Sequence, residues 1–283
     1  MGHRLRRGHG FGLRVPHYAT LVEHGVQGVD LVEAVTENFL GRGGRPRAVL
    51  ERVRRDVPVA LHGVSLSIGG TSPLNERYVD DLRDLCAEVE PAIVSDHLCF
   101  GTFGRHYGHD LWPLPYTEEA VAHVAERVAR VQDRLGQRVA LENVSSYARY
   151  ADSQLTEWEF LDAVTGRADC DILLDLNNVY VSARNLGFRA EDYVDAIPRK
   201  RVAQFHLAGH SDLGSHLLDD HGSAVPPPVW ELHRRAVLRF GPTPTIIEWD
   251  ENVPSLDRLA AEVEDARRSE SRALARTNTK EAA

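Results

Sequence analysis

Short apolar runs rich in β-branched residues alternate with amphipathic stretches of helical length along most of the chain. The eight runs with strand character are Phe11–Arg14, Gly28–Ala34, Val57–His62, Ala92–His97, Arg138–Glu142, Asp171–Leu176, Val202–Leu207 and Thr243–Glu248. The clearest helical stretches are Asn75–Glu88, Thr117–Leu135, Thr156–Thr165, Pro228–Arg239 and Ser255–Arg267. Because this alternation is typical of repeated βα units, it predicts an α/β protein with a parallel sheet.

Eight parallel strands can form either an open doubly wound sheet or a closed barrel. No GxGxxG or GxxxxGK(S/T) phosphate loop follows the first strand, which disfavours the open sheet. The 283 residues also fit the roughly 250 residues of one α/β barrel. We therefore predict a single (β/α)8 TIM barrel over residues 1–268, with its active site at the C-terminal ends of the strands. Residues 269–283 are polar and lack apolar anchors, so we expect a flexible tail there.

Charge and cysteine content narrow the class of protein. The 33 basic and 42 acidic residues give a net charge of −9, which makes a nucleic-acid backbone a poor partner. The three cysteines are widely spaced and match neither a disulfide framework nor a CxxC zinc pattern, which favours a reducing, cytoplasmic setting. Neither a signal-peptide segment nor a run of about 18 apolar residues is present, so we expect no membrane association.

Histidine is the residue type whose number stands out, with 14 in the chain. Six of them lie in polar or helical surroundings and are expected to be surface residues, namely His3, His9, His24, His123, His216 and His233. The others invite a search for metal sites, because imidazole is a common metal ligand.

Potential metal ligands recur where the predicted strands end, which is where parallel barrels place their active sites. The six at or beside strand ends are His62, His97, Glu142, Asp175, His206 and Glu248. Any one of them alone is readily explained as a hydrogen-bonded structural group. Three carboxylates and three imidazoles facing one mouth, however, would repel one another or remain unpaired without a cation. The set therefore predicts a metal centre.

Two loop segments add further candidates. Asn178 follows Asp175 by three positions, and its amide oxygen is an acceptable hard ligand. Asp219 and His221 are two positions apart, so both can point to one side of an extended segment. Each segment could instead be an ordinary polar turn. Together with the strand ends they make nine candidate ligands, which is too many for one ion.

The ligand types restrict the metal but do not identify it. The set contains no thiolate, which disfavours structural zinc and iron–sulfur clusters, whereas His with carboxylate suits iron, manganese or catalytic zinc. His62, His97 and Glu142 would form the two-His, one-carboxylate face that non-haem Fe(II) enzymes use with oxygen. Metal affinities alone would not select iron over zinc.

Seven motifs in a fixed order resemble those of the multinuclear non-haem iron-dependent oxidative enzymes. They are LHGVSLSIGG (61–70), SDHL (95–98), LENVS (141–145), DLNNVYVSARN (175–185), FHLAGH (205–210), DDHG (219–222) and IIEWD (246–250). This family was first catalogued as an uncharacterised domain, number 692, and includes the methanobactin maturation oxidase. The resemblance spans roughly Gly12 to Arg267, and DDHG departs from the more familiar DTHG only at the spacer Asp220.

The resemblance implies a barrel that carries two or three irons as mixed Fe(II)/Fe(III) and uses O2 as co-substrate. The implied substrate is a ribosomally synthesised precursor peptide, commonly modified at cysteine, and family members often act with a separate protein that recognises the leader peptide. Carried over motif by motif, the ligand sets are His62, His97 and Glu142; Glu142, Asp175, His206 and Glu248; and Asn178, Asp219 and His221.

Other positions beside the motifs are candidates for supporting roles. Glu37, Asn143, Asn177 and His210 could orient ligands or contact the peptide. The aromatic segment Phe100–Pro115 follows a strand end at the active face, where it could line a peptide groove or simply pack as a loop.

Two other classes of function remain open. A divalent-metal hydrolase or isomerase, such as an apurinic endonuclease or a sugar isomerase, also sets His, Asp and Glu around two or three metals. The acidic charge disfavours a DNA substrate, and no lysine lies at a strand end to serve an isomerase. The chain could also be a non-catalytic metal-binding or peptide-binding partner.

Overall fold

Eight parallel strands close into one barrel in the computed structural model, which describes residues 5–41, 43–104 and 106–281. The barrel strands are β1 (His9–Gly12), β2 (Leu31–Val35), β3 (Val59–Gly63), β4 (Ile93–His97), β5 (Ala140–Glu142), β6 (Asp171–Asp175), β7 (Val202–Leu207) and β8 (Thr245–Ile247). Each contains part of one predicted strand, so the TIM-barrel fold is confirmed. Two antiparallel hairpins, at residues 100–112 and 211–218, lie outside the barrel and were not predicted.

Helices separate the strands. They are α1 (Tyr18–His24), α2 (Gly44–Arg54), α3 (Glu76–Val89), α4 (Glu118–Leu135), α5 (Glu157–Ala168), α6 (Leu176–Leu186), α7 (Ala190–Ala196), α8 (Pro227–Phe240) and α9 (Leu256–Glu281). Short 3-10 helices occur at Val15–His17 and Thr36–Phe39. The five predicted helices correspond to α3, α4, α5, α8 and α9, and their starts agree to within one residue. Capping side chains mark the starts of α3, α4 and α5, as where Thr117 accepts a hydrogen bond from the Ala120 amide at 3.1 Å.

Parallel register brings the strand ends to one edge of the barrel. β1 pairs with β2 on one side and β8 on the other, which closes the sheet. Gly10 permits this closure, because a Cβ at this position would lie 2.0 Å from the Leu31 carbonyl oxygen. At the C-terminal ends, His97 is the register partner of Glu142 and Asp175 that of His206. The pairing therefore places four candidate ligands side by side.

The last helix is longer than the sequence predicted. α9 continues to Glu281, so the segment from residue 269 that we expected to be a flexible tail is helical as far as that residue. Ser269 and Ala273 are buried, and the Ser269 hydroxyl lies 2.9 Å from Nδ1 of His233 in α8. Small side chains at these positions allow α9 to pack closely on α8, which explains why the helix continues.

Two histidines expected at the surface are buried. His233 is 0% exposed, and His9 is buried in β1 with Nε2 3.5 Å from Oε2 of Glu270. The prediction for His233 was wrong because its helical surroundings in the sequence did not show whether it lies on the inward or the outward face of α8. His24 and His216 are exposed as expected, and His3 lies outside the described residues.

A membrane-crossing helix needs a long apolar stretch, and none of the helices in the described part of the chain has one.

Acid should destabilise the fold through His233. Burial, with smaller contributions from His9 and Arg234, lowers the pKa of His233 from 6.5 to about 3. The unfolded chain binds this proton more readily than the folded chain does. The contribution of neutral His233 to the free energy of unfolding is therefore fully present above pH 6.5 and is lost as the pH falls toward 3. The expected loss between pH 8 and pH 5 is about 2 kcal/mol.

His233→Gln should remove that part of the acid dependence. The measurement is the free energy of unfolding by urea at pH 8 and pH 5, with His24→Gln as the exposed control. An equal loss in the His233→Gln variant and the wild type would contradict the prediction.

Candidate metal centre

Two histidines and one glutamate meet where β3, β4 and β5 end. Nε2 of His62 lies 3.0 Å from Oε2 of Glu142, and Nε2 of His97 lies 3.2 Å from the same oxygen. The second nitrogen of each ring is already engaged, since Nδ1 of His62 is 2.8 Å from the Ser95 hydroxyl and Nδ1 of His97 is 3.0 Å from the Gly63 carbonyl. These contacts aim both Nε2 atoms at Glu142 and so prepare a site of two imidazoles and one carboxylate.

The same glutamate joins a second cluster at the ends of β6, β7 and β8. Nδ1 of His206 lies 2.9 Å from Oε2 of Glu248, 3.1 Å from Oε1 of Glu142 and 3.9 Å from Oδ2 of Asp175. Glu142 therefore presents Oε1 to this cluster and Oε2 to the first one. A carboxylate placed in this way can bridge two ions. The structure thus brings together the six strand-end residues that the sequence singled out.

The donor atoms fit a bound cation. Among the described residues, Nε2 of His62, Oε2 of Glu142 and Oδ2 of Asp175 are buried and make no hydrogen bond of normal geometry, although each faces an oppositely charged group of the clusters. Buried polar atoms without partners are costly, and a divalent ion would satisfy these together. The groups close enough to hold an ion are His62, His97 and Glu142; Glu142, Asp175, His206 and Glu248; and His221, Glu248 and Asp250.

The buried carboxylates and imidazoles shift one another's pKa values. Burial opposes ionisation of Glu142, but the neighbouring histidines, above all His97, hold the pKa of this carboxyl well below its usual range. Burial also opposes protonation of His62, yet the carboxylates of Glu142 and Glu33 raise its pKa to about 9. At Asp175 burial dominates and raises the pKa well above its usual range. Since metal ligands must be deprotonated, metal binding here would release protons.

Glu33 is a functional candidate that sequence reasoning missed. It lies in β2 with its side chain inside the barrel, and Oε1 is 3.0 Å from Nε2 of His206. The Gln204 side-chain amide donates a hydrogen bond to the same carboxylate. Glu33 thus leaves His206 with Nδ1 facing the cluster, as carboxylate–histidine–metal arrangements do. An acidic residue at the centre of the apolar strand LVEAV was the signal that could have revealed it.

A third group lies farther out at the mouth of the barrel. Nδ1 of His221 is 3.4 Å from Oε2 of Glu248 and 3.6 Å from Oδ2 of Asp250, and its Nε2 is 2.7 Å from Oδ1 of Asp219. The expected pair Asp219 and His221 is therefore brought together. Asp250 was missed, although it is the last residue of the IIEWD motif, because the predicted strand ends at Glu248.

Asn178 is buried near the second cluster, and its side chain is already hydrogen bonded. Its amide nitrogen donates to the Asn143 carbonyl at 3.0 Å, and its Oδ1 accepts from the Ser145 hydroxyl at 2.9 Å. Its backbone N–H donates to Oδ1 of Asp175 at 2.6 Å. The structure therefore keeps Asn178 beside Asp175, while its role as a ligand stays a prediction.

The positions expected to support the ligands have distinct contacts. Asn177 donates to Oδ1 of Asp219 at 2.9 Å and lies 2.7 Å from Nδ1 of His210, so it orients Asp219. The side-chain amide of Asn143 donates a hydrogen bond to the Asp175 carbonyl and accepts one from the Asp175 N–H. Glu37 instead accepts hydrogen bonds from the Val64 amide and the Tyr78 hydroxyl, which anchors the loop after β3.

The aromatic segment after β4 is a hairpin at the active face. It leaves Phe103 73% exposed and Trp112 46% exposed. A cavity of about 440 Å³ lies beside it, with Phe100, Leu114 and Tyr150 among its walls. Exposed aromatic side chains next to a cavity favour the groove hypothesis over a simple packed loop.

Fold and site together define a class: a (β/α)8 barrel in which histidines and carboxylates at the C-terminal strand ends form a candidate metal centre. A family model described as "RiPP precursor modification enzyme MbnB/TglH/ChrH" matches residues 8–271, where RiPP denotes a ribosomally synthesised and post-translationally modified peptide. The chain belongs to this family of enzymes, which confirms the resemblance seen in its motifs.

Relatives cover nearly the whole chain. A UPF0276 protein of Anaeromyxobacter sp. (strain Fw109-5) is 59% identical over 95% of this chain and 94% of its own length. A UPF0276 protein of Rhizorhabdus wittichii is 50% identical over 91% of this chain and 93% of its own.

Solved structures with low sequence identity share the fold. The chain is similar to L-ribulose 3-epimerase, with a TM-score of 0.64 and 12% identity over 96% of this chain and 97% of that one. It is also similar to endonuclease IV from Thermus thermophilus, with a TM-score of 0.59 and 18% identity over 92% of this chain and 97% of that one. Identities this low establish the barrel fold only.

Glu33→Gln should weaken metal binding at the second cluster. The amide cannot replace the carboxylate that holds Nε2 of His206, so we expect affinity to fall about tenfold to a hundredfold. Anaerobic titration with Fe(II) against a chromophoric chelator measures the change, and exposed Glu23→Gln is the matched control. Unchanged affinity in Glu33→Gln would show that His206 needs no such support.

Proposed function

We propose that the chain is a multinuclear non-haem iron enzyme that uses O2 to oxidise a ribosomally synthesised precursor peptide at cysteine. The observation that carries the proposal is the pair of clusters that share Glu142 and could each hold a metal ion, in a member of a family of precursor-modifying enzymes. A shared carboxylate supports two adjacent ions, and imidazole with carboxylate suits iron. Mixed Fe(II)/Fe(III) occupancy is part of the same proposal.

The proposal uses three ligand sets. Two of them are groups that lie close together in the structure, His62, His97 and Glu142, and Glu142, Asp175, His206 and Glu248. The third, Asn178, Asp219 and His221, comes from the family motifs, and its support in the structure is the 2.7 Å contact of Asp219 with His221. Asn178 would use the second lone pair of Oδ1, since the first accepts a hydrogen bond from Ser145.

The protein's own contribution is to hold ligands in place and to keep water out. Bound iron would supply electrons to oxygen and Lewis acidity at the strand ends. Glu33 holds the tautomer of His206, and Asn177 holds the carboxylate of Asp219. Glu142 and His206 are 1% and 0% exposed, so reactive species formed at this depth would be protected from solvent.

The peptide and its partner belong to the same proposal. We place the precursor peptide at the barrel mouth, with the exposed Phe103 and Trp112 of the 100–112 hairpin beside it. Leader recognition is assigned to a separate protein. The three free, buried cysteines support a cytoplasmic reaction, since thiols stay reduced there.

The test uses the iron-loaded protein with a synthetic Cys-containing precursor peptide from its own gene neighbourhood. We expect oxygen uptake, followed with an oxygen electrode, in step with a change in the mass of the peptide. Glu142→Gln should lower the rate at least about a hundredfold, because both clusters depend on this carboxylate. Zinc-loaded protein should be inactive and serves as the second control.

Other outcomes would favour other functions. Full turnover of a sugar or phosphoester substrate with zinc under nitrogen would replace the proposal by a divalent-metal isomerase or hydrolase. Peptide binding without any turnover at full iron occupancy would make the chain a non-catalytic partner.

A further inference from the structure

His210 lies at the mouth of the barrel, three residues after the end of β7. Its side chain is partly exposed, and its ring packs beside that of Tyr180 in α6, with 5.3 Å between the ring centroids. The hydrogen bonds that the described residues make to this ring all go to one of its two nitrogens, Nδ1. The other nitrogen, Nε2, is therefore available to a molecule that enters the mouth.

Asn177 decides which of the two nitrogens carries the proton. Its side-chain nitrogen donates a hydrogen bond to Oδ1 of Asp219 at 2.9 Å, because an ionised carboxylate can only accept. This leaves Oδ1 of Asn177 facing Nδ1 of His210 at 2.7 Å. An amide oxygen only accepts, so Nδ1 must donate. A neutral imidazole that carries its proton on Nδ1 has its lone pair on Nε2.

The charges around His210 suit a ring that gains a proton during a reaction. Burial, with a smaller contribution from His221, lowers the pKa of His210 below its ordinary value of 6.5. Three carboxylates act in the opposite direction, those of Asp219, Asp220 and Asp212. At neutral pH the ring is therefore uncharged and able to accept a proton, and the carboxylates stabilise the imidazolium that forms.

We propose that His210 is a catalytic base that takes the proton from the cysteine thiol of the precursor peptide through Nε2. The S–H bond breaks, its electron pair stays on sulfur as a thiolate, and a new N–H bond makes His210 an imidazolium. This step moves only a proton, so it needs no oxidant. It rests on the proposed function, which supplies the peptide and its cysteine. A free thiol has a pKa of about 8.5 and is mostly protonated at pH 7, so its ionisation needs an acceptor.

The kinetics of His210→Asn test this role. The Asn side chain retains an N–H group for the hydrogen bond to Asn177, but it has no basic nitrogen in place of Nε2. With iron-loaded protein and the Cys-containing precursor peptide, we expect kcat to fall about a hundredfold at pH 7, with KM for the peptide unchanged. At pH 9 the loss should shrink to less than about tenfold, because the thiol then ionises without help.

His216→Asn is the matched control. His216 is exposed in the 211–218 hairpin, and its Nδ1 lies 2.9 Å from the Ser215 hydroxyl, outside the chain of hydrogen bonds through Asn177. This variant should keep the wild-type rate at both pH values. Bound iron, counted by elemental analysis, should be equal in the wild type and both variants. Less iron in His210→Asn would make His210 a support of the metal centre and would overturn the proposal.

A second measurement does not depend on turnover. Nuclear magnetic resonance spectra of metal-free protein with 15N-labelled histidine show which nitrogen of each ring carries a proton. The signals of His210 are those missing in His210→Asn, or in His210→Gln if the first variant does not fold. We expect Nδ1 to be protonated and Nε2 to be unprotonated at pH 8.

The contrary results are distinct. A proton on Nε2, an equal loss of kcat at pH 7 and pH 9, or a higher KM with kcat intact would each overturn the role of His210 as the base. Wild-type protein that neither consumes oxygen nor changes the mass of the peptide would instead contradict the proposed function, and the inference would fall with it.

Discussion

The carboxylate of Glu142 between three imidazoles is the interaction on which the rest of the site depends. One oxygen faces His62 and His97, and the other faces His206. This arrangement is buried at the junction of β5 with its neighbours, so it exists only when the barrel has closed in its observed register. An isolated strand could not form this arrangement, because the three rings belong to β3, β4 and β7 and the carboxylate to β5.

Around this carboxylate the protein separates two tasks. The first is to fix ring orientation, which it does with groups behind the rings: the Ser95 hydroxyl, the Gly63 carbonyl and the Glu33 carboxylate. The second is to balance charge, which it does with histidines around Glu142 and with Arg14, whose side chain follows β1 and donates to Oδ1 of Asp250 while lying 3.5 Å from Oε1 of Glu248. The orientation of the rings is therefore fixed by contacts within the protein itself.

Much of the fold and the inner site could be predicted from sequence for a physical reason. Buried parallel strands read as apolar runs, and their ends meet at one edge, so His62 or Glu248 could be placed without coordinates. Glu33 was harder to find because it lies within a strand, where its partner His206 is remote in sequence. Asp250 and Arg14 are likewise brought together only by barrel closure. The full length of α9 could not be predicted because the buried side chains of its second half are small, and small side chains give no strong periodic pattern in the sequence.

The spread of the ligands along the chain has a consequence for how the enzyme is made. The candidate ligands begin at His62, in β3, and do not end until Glu248, just after β8, which itself pairs with β1 to close the barrel. During synthesis the first strands leave the ribosome long before the last ones exist, so no complete site can form on the nascent chain. The complete set of candidate ligands can therefore assemble only after β8 has been made, and a chain truncated before β8 would lack both barrel closure and Glu248.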